Sequence, residues 1–413
     1  MQPGSIASFA ARLVLAAICA LATWRSVRIA WADWLATSGT LQELDHAIRI
    51  EPGDGRMLAT SAIFRSDNGD LSPAVDRDLE RAARLDPLDS KLFMTLGLRA
   101  EFRGDKAAAE RDLAHAADID HQFRPAWTLA EFYYRAGHQD RMWPLIDRIL
   151  KLDPLGFDPG PVFDLCWNAL GDPAKIRALI PPPRLLEYLS YLIRTNRADA
   201  ALDVWPAALV LSAPPGRAAA ALKPFPDFLA GAGRIPEAVR AWNELVSRGI
   251  VQSGRLEPAT GVSIADPGFV FPPAAGVFSW QIANTDGVLI ANGPGGLRAE
   301  FDGNEPESFE LASVLAPVLP GREYRLIWTA DASRLASPQD AGFSFQVGRT
   351  VLPSARGPES TQCPPLLTQA ACQFAAGPAT RTVRVDLLYS RASGTTRAQG
   401  TLRVLKAALE LAR

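Results

Sequence analysis

Four stretches, LDHAIRIEP (44–52), LERAARLDP (79–87), LAHAADIDH (113–121) and IDRILKLDP (146–154), lie over one another without a gap. Each has a large apolar residue, two others, a small or apolar residue, four others and a terminator. The shared positions are Leu44/Ala47/Pro52, Leu79/Ala82/Pro87, Leu113/Ala116/His121 and Ile146/Ile149/Pro154. Residues three apart share one side of a helix, and proline cannot continue one. Successive terminators stand 35, 34 and 33 residues apart. A period near 34 accommodates two antiparallel helices, so this region reads as a stack of hairpins with small residues where helices approach.

The first helix of a unit is also legible. Phe93-x-x-Leu96-Gly97 opens one, Gly104-Asp105 turns the chain, and Ala109 and Leu113 follow on the second helix. The next unit has Leu129-Ala130 and Tyr133, a turn at Gly137, then Ile146. Ala201, Trp205 and Ala208, and then Gly233 to Ala238 with Trp242, carry a weaker form of the pattern to about Val251. These motifs resemble the tetratricopeptide-repeat family over residues 40–250, strongly in about half of that stretch. The resemblance implies a right-handed stack whose concave groove grips a peptide, helix or protein segment. In that family the groove is lined by first-helix residues. The matching positions here are Lys91, Met94, Leu98, Glu101 and Phe102, then Arg124, Trp127, Glu131, Tyr134 and Arg135. Trp127 and Tyr134 also have a plainer reading, as rings packed against neighbouring repeats. The pattern departs from the family at Met57–Arg65, which lacks the large/small pair, and at Pro181-Pro182-Pro183, where a kink or change of pitch is expected.

Ahead of the repeats, LVLAAICALATW (13–24) is uncharged. Twelve residues fall short of the roughly 20 that cross a bilayer. With Arg12 snorkelling to the headgroups, Ile6–Trp24 would suffice, and Trp24, Trp31 and Trp34 would suit the far interface. A cleaved signal ending near Ala20-Leu21-Ala22 and a buried first helix are the alternatives. The flanking charges do not settle orientation. The first two readings place the bulk of the chain outside the cytoplasm, and the expected location is a single-pass inner-membrane anchor with the rest facing the periplasm.

From about Ile264 the helical period gives way to short alternating runs bounded by Gly, Pro, Asn and Asp. Candidate strands are Phe269–Phe271, Phe278–Ile282, Val288–Ile290, Leu297–Phe301, Phe309–Val314, Glu323–Trp328, Gly342–Val347, Arg381–Tyr389 and Gly400–Lys406. Short strands at this spacing indicate an antiparallel sandwich. Phe278-Ser279-Trp280, Gly296 to Phe301 before Asp302-Gly303, and Pro320-Gly321 before Tyr324 are similar in order to galactose-binding-like jelly rolls and carbohydrate-binding modules. That resemblance implies a glycan site with Trp280 as its best candidate ring, against the plainer reading of a core aromatic. A structural calcium at Asp302-Gly303-Asn304-Glu305 is weighed against an ordinary turn.

The fold class is therefore multidomain α plus β: a signal-anchor helix (1–36), a tetratricopeptide-like α-solenoid (37–250), a linker (251–266) and a jelly-roll-like β-sandwich (267–413). Net charge is −2 over 413 residues, so bulk charge points to no nucleic-acid partner. All four histidines precede residue 140. There is no Walker loop, GxGxxG after a strand, HExxH, CxxC or GxSxG. No coherent set of catalytic roles emerges, no cofactor or metal is expected, and the chain reads as a non-enzymatic scaffold. The layout resembles accessory factors of cell-surface polysaccharide assembly or secretion. A glycan-binding module on a helical stalk is the alternative, and an enzyme with a site between the domains a third. Cys363 and Cys372 flank a proline-restricted loop, CPPLLTQAAC, and an exported chain would oxidise them to a disulfide.

Overall fold

The computed structural model describes residues 4–37, 40–152, 157–211, 216–272, 276–336, 342–351, 355–367 and 370–412. Pro154, the last repeat terminator, lies outside them. The chain divides into two compact units, Met1–Pro181 and Pro182–Arg413.

The first unit is helical. Its elements are α1 (Gly4–Thr37), α2 (Leu41–Ile50), α3 (Gly55–Asp67), α4 (Pro73–Leu85), α5 (Ser90–Phe102), α6 (Lys106–Ile119), α7 (Phe123–Ala136), α8 (Gln139–Leu150), α9 (Gly160–Leu170) and α10 (Pro173–Leu179). Aspartates start many of them. The side chains of Asp54, Asp89, Asp105 and Asp172 accept hydrogen bonds from the otherwise orphaned amides of the following turn. The α5–α6 turn shows the division of labour. Gly104 takes a φ of +83° that a side chain would resist, and Asp105 at once caps α6. Gly97 has a steric reason as well, because a Cβ there would stand 2.6 Å from Cγ of Leu113.

Each hairpin buries its small-residue stripe. Leu58, Ala59, Ala62, Val75, Leu79, Ala82, Leu92 and Leu96 form one continuous cluster over α3, α4 and α5. A buried cation joins it. Arg99 on α5 donates through Nε to Asp76 Oδ1 at 2.7 Å and through its Nη groups to the carbonyls of Asp70 (2.7 Å) and Ser72 (3.3 Å) and to Ser66 Oγ (3.2 Å). One side chain thus ties the α3–α4 turn to the next repeat. Burial works against the charge on Asp76, but hydrogen bonds from Arg99 and Arg103 outweigh it and hold the carboxyl below its ordinary range.

α1 is a single helix with two environments. Its span Arg12–Thr37 is long and apolar enough to cross a membrane. Only its last turns join the repeats, with Ala32 and Leu35 buried against Leu44, Ala47 and Met57.

The second unit begins with a 3-10 turn at Pro182–Arg184, where the triple proline stands. Five helices follow: α11 (Leu185–Arg194), α12 (Ala198–Val210), α13 (Arg217–Leu222), α14 (Pro224–Gly231) and α15 (Ile235–Ser247). Trp205 stacks on Phe225 at 4.3 Å and donates to Glu244, linking α12, α14 and α15. The segment 251–266 carries only the isolated bridge Glu257–Val262. It is nonetheless packed, with Val251, Leu256, Ile264 and Ala265 buried. Trp242 donates to the Gly254 carbonyl at 3.2 Å and meets Phe278 edge-on at 5.7 Å. Asn243 both donates to and accepts from the backbone of Leu256, each at 2.8 Å. Asp227 accepts from the Val277 amide at 2.8 Å. The last hairpin and the entry to the sheets are therefore one packed body.

The sandwich has two five-stranded antiparallel sheets, ordered β1-β4-β9-β6-β7 and β2-β3-β10-β5-β8. The strands are β1 (Gln281–Ile282), β2 (Val288–Gly293), β3 (Gly296–Asp302), β4 (Ser308–Pro317), β5 (Glu323–Ala336), β6 (Phe343–Val351), β7 (Ala355–Pro365), β8 (Ala371–Ala375), β9 (Thr382–Ser390) and β10 (Gln399–Leu411). One expected strand is a loop and another is a strand only at its end. Phe269–Phe271 is a loop whose amides are held by the Asp266 carboxylate, and of Phe278–Ile282 only the last two residues pair. β7 and β8 were not expected from the sequence. Cys363 on β7 and Cys372 on β8 are bonded, with Cα atoms 5.4 Å apart. Since β7 and β8 are edge strands of different sheets, that bond staples the sandwich along one side.

Three outcomes follow. Arg99→Met takes one of two guanidinium partners from Asp76 and the donor from the Asp70 carbonyl, and is expected to lower stability by about 2–3 kcal/mol in urea unfolding of the first unit; a loss below about 0.5 kcal/mol would show the cluster to be dispensable. Cys363→Ala with Cys372→Ala is expected to cost the sandwich about 2–3 kcal/mol, the usual value for a short closed loop, and an unchanged melting temperature would count against the bond. A fragment starting at Pro182 should melt well above one starting at Pro267, which lacks Trp242 and Asn243; equal melting would mean the α15 contacts add nothing.

Candidate functional site

The first helices of two adjacent repeats, α5 and α7, carry all the groove positions expected from the repeat register. They are tied at one-repeat spacing. Arg135 on α7 forms a two-pronged ion pair with Glu101 on α5, both distances 2.9 Å. Thr128 on α7 lies 3.8 Å from the Met94 sulfur on α5.

Within that row the side chains sort into floor and surface. Met94 is 8 % exposed and belongs to the floor. Leu98 and Phe102, one turn apart on α5, are 45 % and 72 % exposed. Lys91 and Arg124, in the first turns of their helices, are exposed. Trp127, Glu131 and Tyr134 are half-buried on α7. Trp127 stacks on Phe123 at 5.8 Å, and Phe123 stacks on Phe157 at 4.3 Å. The ring is thus braced from one side. Phe157 lies on no expected helix, so the sequence offered no sign of this brace.

Glu131 is the electrostatic centre of the row. Desolvation pushes its carboxyl above the usual range, Arg135 pulls it back, and Glu101 pushes it up again. Arg135 is already committed to Glu101, and its guanidinium is held even more firmly protonated by that bond. Glu131 therefore sits half-desolvated without a hydrogen-bond donor of its own among the described residues. Such an acceptor gains from a donor brought by a ligand. The Cys166 thiol is quiet, because burial pushes it up to about 12.

The sandwich offers less to a sugar. Trp280 is 4 % exposed and donates to the Asp266 carbonyl at 2.8 Å, so the proposed stacking ring is a core residue. None of the large exposed apolar side chains described in the sandwich is aromatic. The strand register does set a polar row across one sheet, with Gln281, Ser313, Asp386, Gln346 and Gln362 facing one another in turn, exposed at its ends and buried at Ser313 and Asp386. Arg384 pairs there with Glu310 and Asp386, both at 2.7 Å. The Asp302–Glu305 turn directs carboxylate oxygens at protein donors. Asp302 accepts from the Asn304 amide, and Glu305 Oε1 accepts from Tyr389 and the Ala398 amide. Among the described residues no group of three metal-ligating side chains converges.

No family model and no curated protein sequence matches the chain. Solved structures that it is similar to are tetratricopeptide-type proteins. YrrB, described as a TPR protein with an unusual peptide-binding site, is 14 % identical and covers 50 % of this chain and 93 % of its own, with a TM-score of 0.27. MamA is 14 % identical over 54 % of this chain and 90 % of its own, with a TM-score of 0.27. The C-terminal part of a TPR repeat-containing protein from Cytophaga hutchinsonii is 13 % identical over 53 % of this chain and 94 % of its own, with a TM-score of 0.32.

Proposed function

We propose that the chain is a non-enzymatic scaffold, mounted on a membrane by α1, that holds a peptide or protein segment on the first-helix face of α5 and α7. The observation that carries this reading is the state of that face. Leu98 and Phe102 stand out in solvent one turn apart, beside the braced Trp127 and the donor-poor Glu131. Single exposed apolar residues are ordinary, but a pair next to half-buried rings and a desolvated carboxylate makes a contact patch. The apolar half of α1 supports the membrane mount, since Leu13 to Leu21 are exposed throughout. We place the bulk of the chain outside the cytoplasm, with cell-surface polysaccharide assembly or secretion as the setting, on likeness of layout alone. A glycan bound by the sandwich is the second reading. The exposed ends of the polar row, Gln281 and Gln362, favour it, and the burial of Trp280, Ser313 and Asp386 weighs against it.

A partner recovered from membranes with the whole chain as bait allows the test. Leu98→Ala with Phe102→Ala removes two solvent-exposed side chains, so the helical circular dichroism should be unchanged. Losing a hot-spot contact of 2 kcal/mol or more weakens binding at least about thirtyfold. The same loss is expected of Trp127→Ala with Tyr134→Ala. Should that second pair unfold the protein, those rings are packing residues and the first pair alone decides. Unchanged binding by Leu98→Ala/Phe102→Ala, together with loss of binding on deleting 267–413, would transfer recognition to the sandwich.

A further inference from the structure

α1 runs unbroken from Gly4 to Thr37, yet its surroundings change along its length. Leu13, Val14, Leu15, Ile18 and Leu21 are between 56 % and 70 % exposed. Beyond them the helix belongs to the protein. Arg28 donates to the Ile50 carbonyl at 2.7 Å and pairs with Glu51 at 2.9 Å, and Asp33 pairs with Arg56 at 2.7 Å. The change falls between Trp24 and Arg28. At that level a notch of about 430 Å³ opens between α1 and the C-terminal end of α2, lined by Trp24, Val27, Arg28, Trp31, Arg49 and Ile50.

The lining has two chemistries. Trp24, Val27 and Trp31 are each more than half exposed and present apolar surface with indole edges, the side chains that settle at headgroup depth. The other wall is cationic. The carbonyl end of α2 and Glu51 would by themselves repel an anion. Arg28 neutralises both by bonding to them. Arg49, in the last turn of α2, is exposed and has no ion pair or hydrogen bond among the described residues. One guanidinium is therefore surplus, and its planar fork matches a phosphate.

We propose that this notch seats one anionic glycerophospholipid of the bilayer that α1 enters. Its phosphate lies on Arg49 and its upper acyl chain lies along Trp24 and Val27. The seat rests on the membrane reading of α1. Because α1 continues into the first hairpin without a turn, a lipid held there also fixes how the first repeat stands at the surface.

The test uses the full chain in nanodiscs of phosphatidylcholine mixed with phosphatidylglycerol, with native mass spectrometry counting the lipid that stays bound and liposome flotation reporting insertion. The wild-type chain should retain phosphatidylglycerol in preference to phosphatidylcholine. Arg49→Glu should lose that preference by about fivefold or more, the effect of one basic residue near an anionic surface, while floating as before. Arg49→Lys should keep part of it. Soluble glycerol phosphate should fail to displace the lipid. Equal retention of the two lipids by wild type, an indifferent Arg49→Glu, or displacement by glycerol phosphate would each overturn the seat while leaving the anchor intact. A chain that does not float at all would overturn the anchor and the seat together.

Discussion

A helical hairpin of about 34 residues cannot cover its own apolar stripe, and the helical region is arranged around that constraint. Ala62, Leu79 and Ala82 are dry only because Leu92 and Leu96 of the next repeat lie over them. The debt passes along the stack and must end somewhere. At the N-terminal end the last turns of α1 serve as a first helix, with Ala32 and Leu35 covering Leu44 and Ala47. In the second unit the hairpin of α14 and α15 meets the same need differently. Its Trp242 is sealed by Gly254, Gly276 and Phe278, which belong to the chain on its way into the sheets. Gly276 is small for this reason, since a Cβ there would stand 2.9 Å from the indole.

The repeat was legible because its signal lies in residue size at fixed spacing, which a helix reports directly. The features that escaped depend on contacts between distant residues. Arg99 looks like a surface residue of α5, and only the Asp70 and Ser72 carbonyls and the Asp76 carboxylate, one repeat away, explain its burial. The segment 251–266 has the composition of a free connection, yet Asn243 supplies the hydrogen bonds that let its backbone leave water. In the sandwich, β7 contains Pro358, Pro364 and Pro365, which argue against a central strand but are compatible with the sheet edge it occupies. Phe278-Ser279-Trp280 alternates like a strand, but Trp280 is turned inward by the Asp266 carbonyl and Phe278 by Trp242.

Register puts the expected groove positions on α5 and α7, but register alone does not separate buried from exposed side chains. Met94 and Leu98 are one turn apart and read alike in sequence, yet Met94 is covered by α7 and Leu98 is open. The difference arises because α7 leans on α5 through Thr128 at one level and through the Arg135–Glu101 pair at another. That pair has a further effect. By turning the Arg135 donors to Glu101, it leaves Glu131 the field of that cation but no hydrogen bond from it. An ion pair across two repeats thereby sets the polarity of the contact face.

The two environments along α1 separate the residues that cover the first repeat from those left apolar and exposed. Among the described residues the contacts of α1 with the repeats, through Arg28, Ala32, Asp33, Leu35 and Ala36, lie after Ala22. Cleavage at the small-residue site of 20–22 would therefore remove exposed apolar surface and leave the first hairpin covered. Retention of the same segment would hold that hairpin against a bilayer without a flexible join, because the helix is continuous across the boundary. The fold is thus compatible with either fate of the N-terminus, and only the retained form brings the Trp24, Trp31 and Arg49 side chains to headgroup depth, where indole edges and a surplus guanidinium have a use that bulk water does not give them.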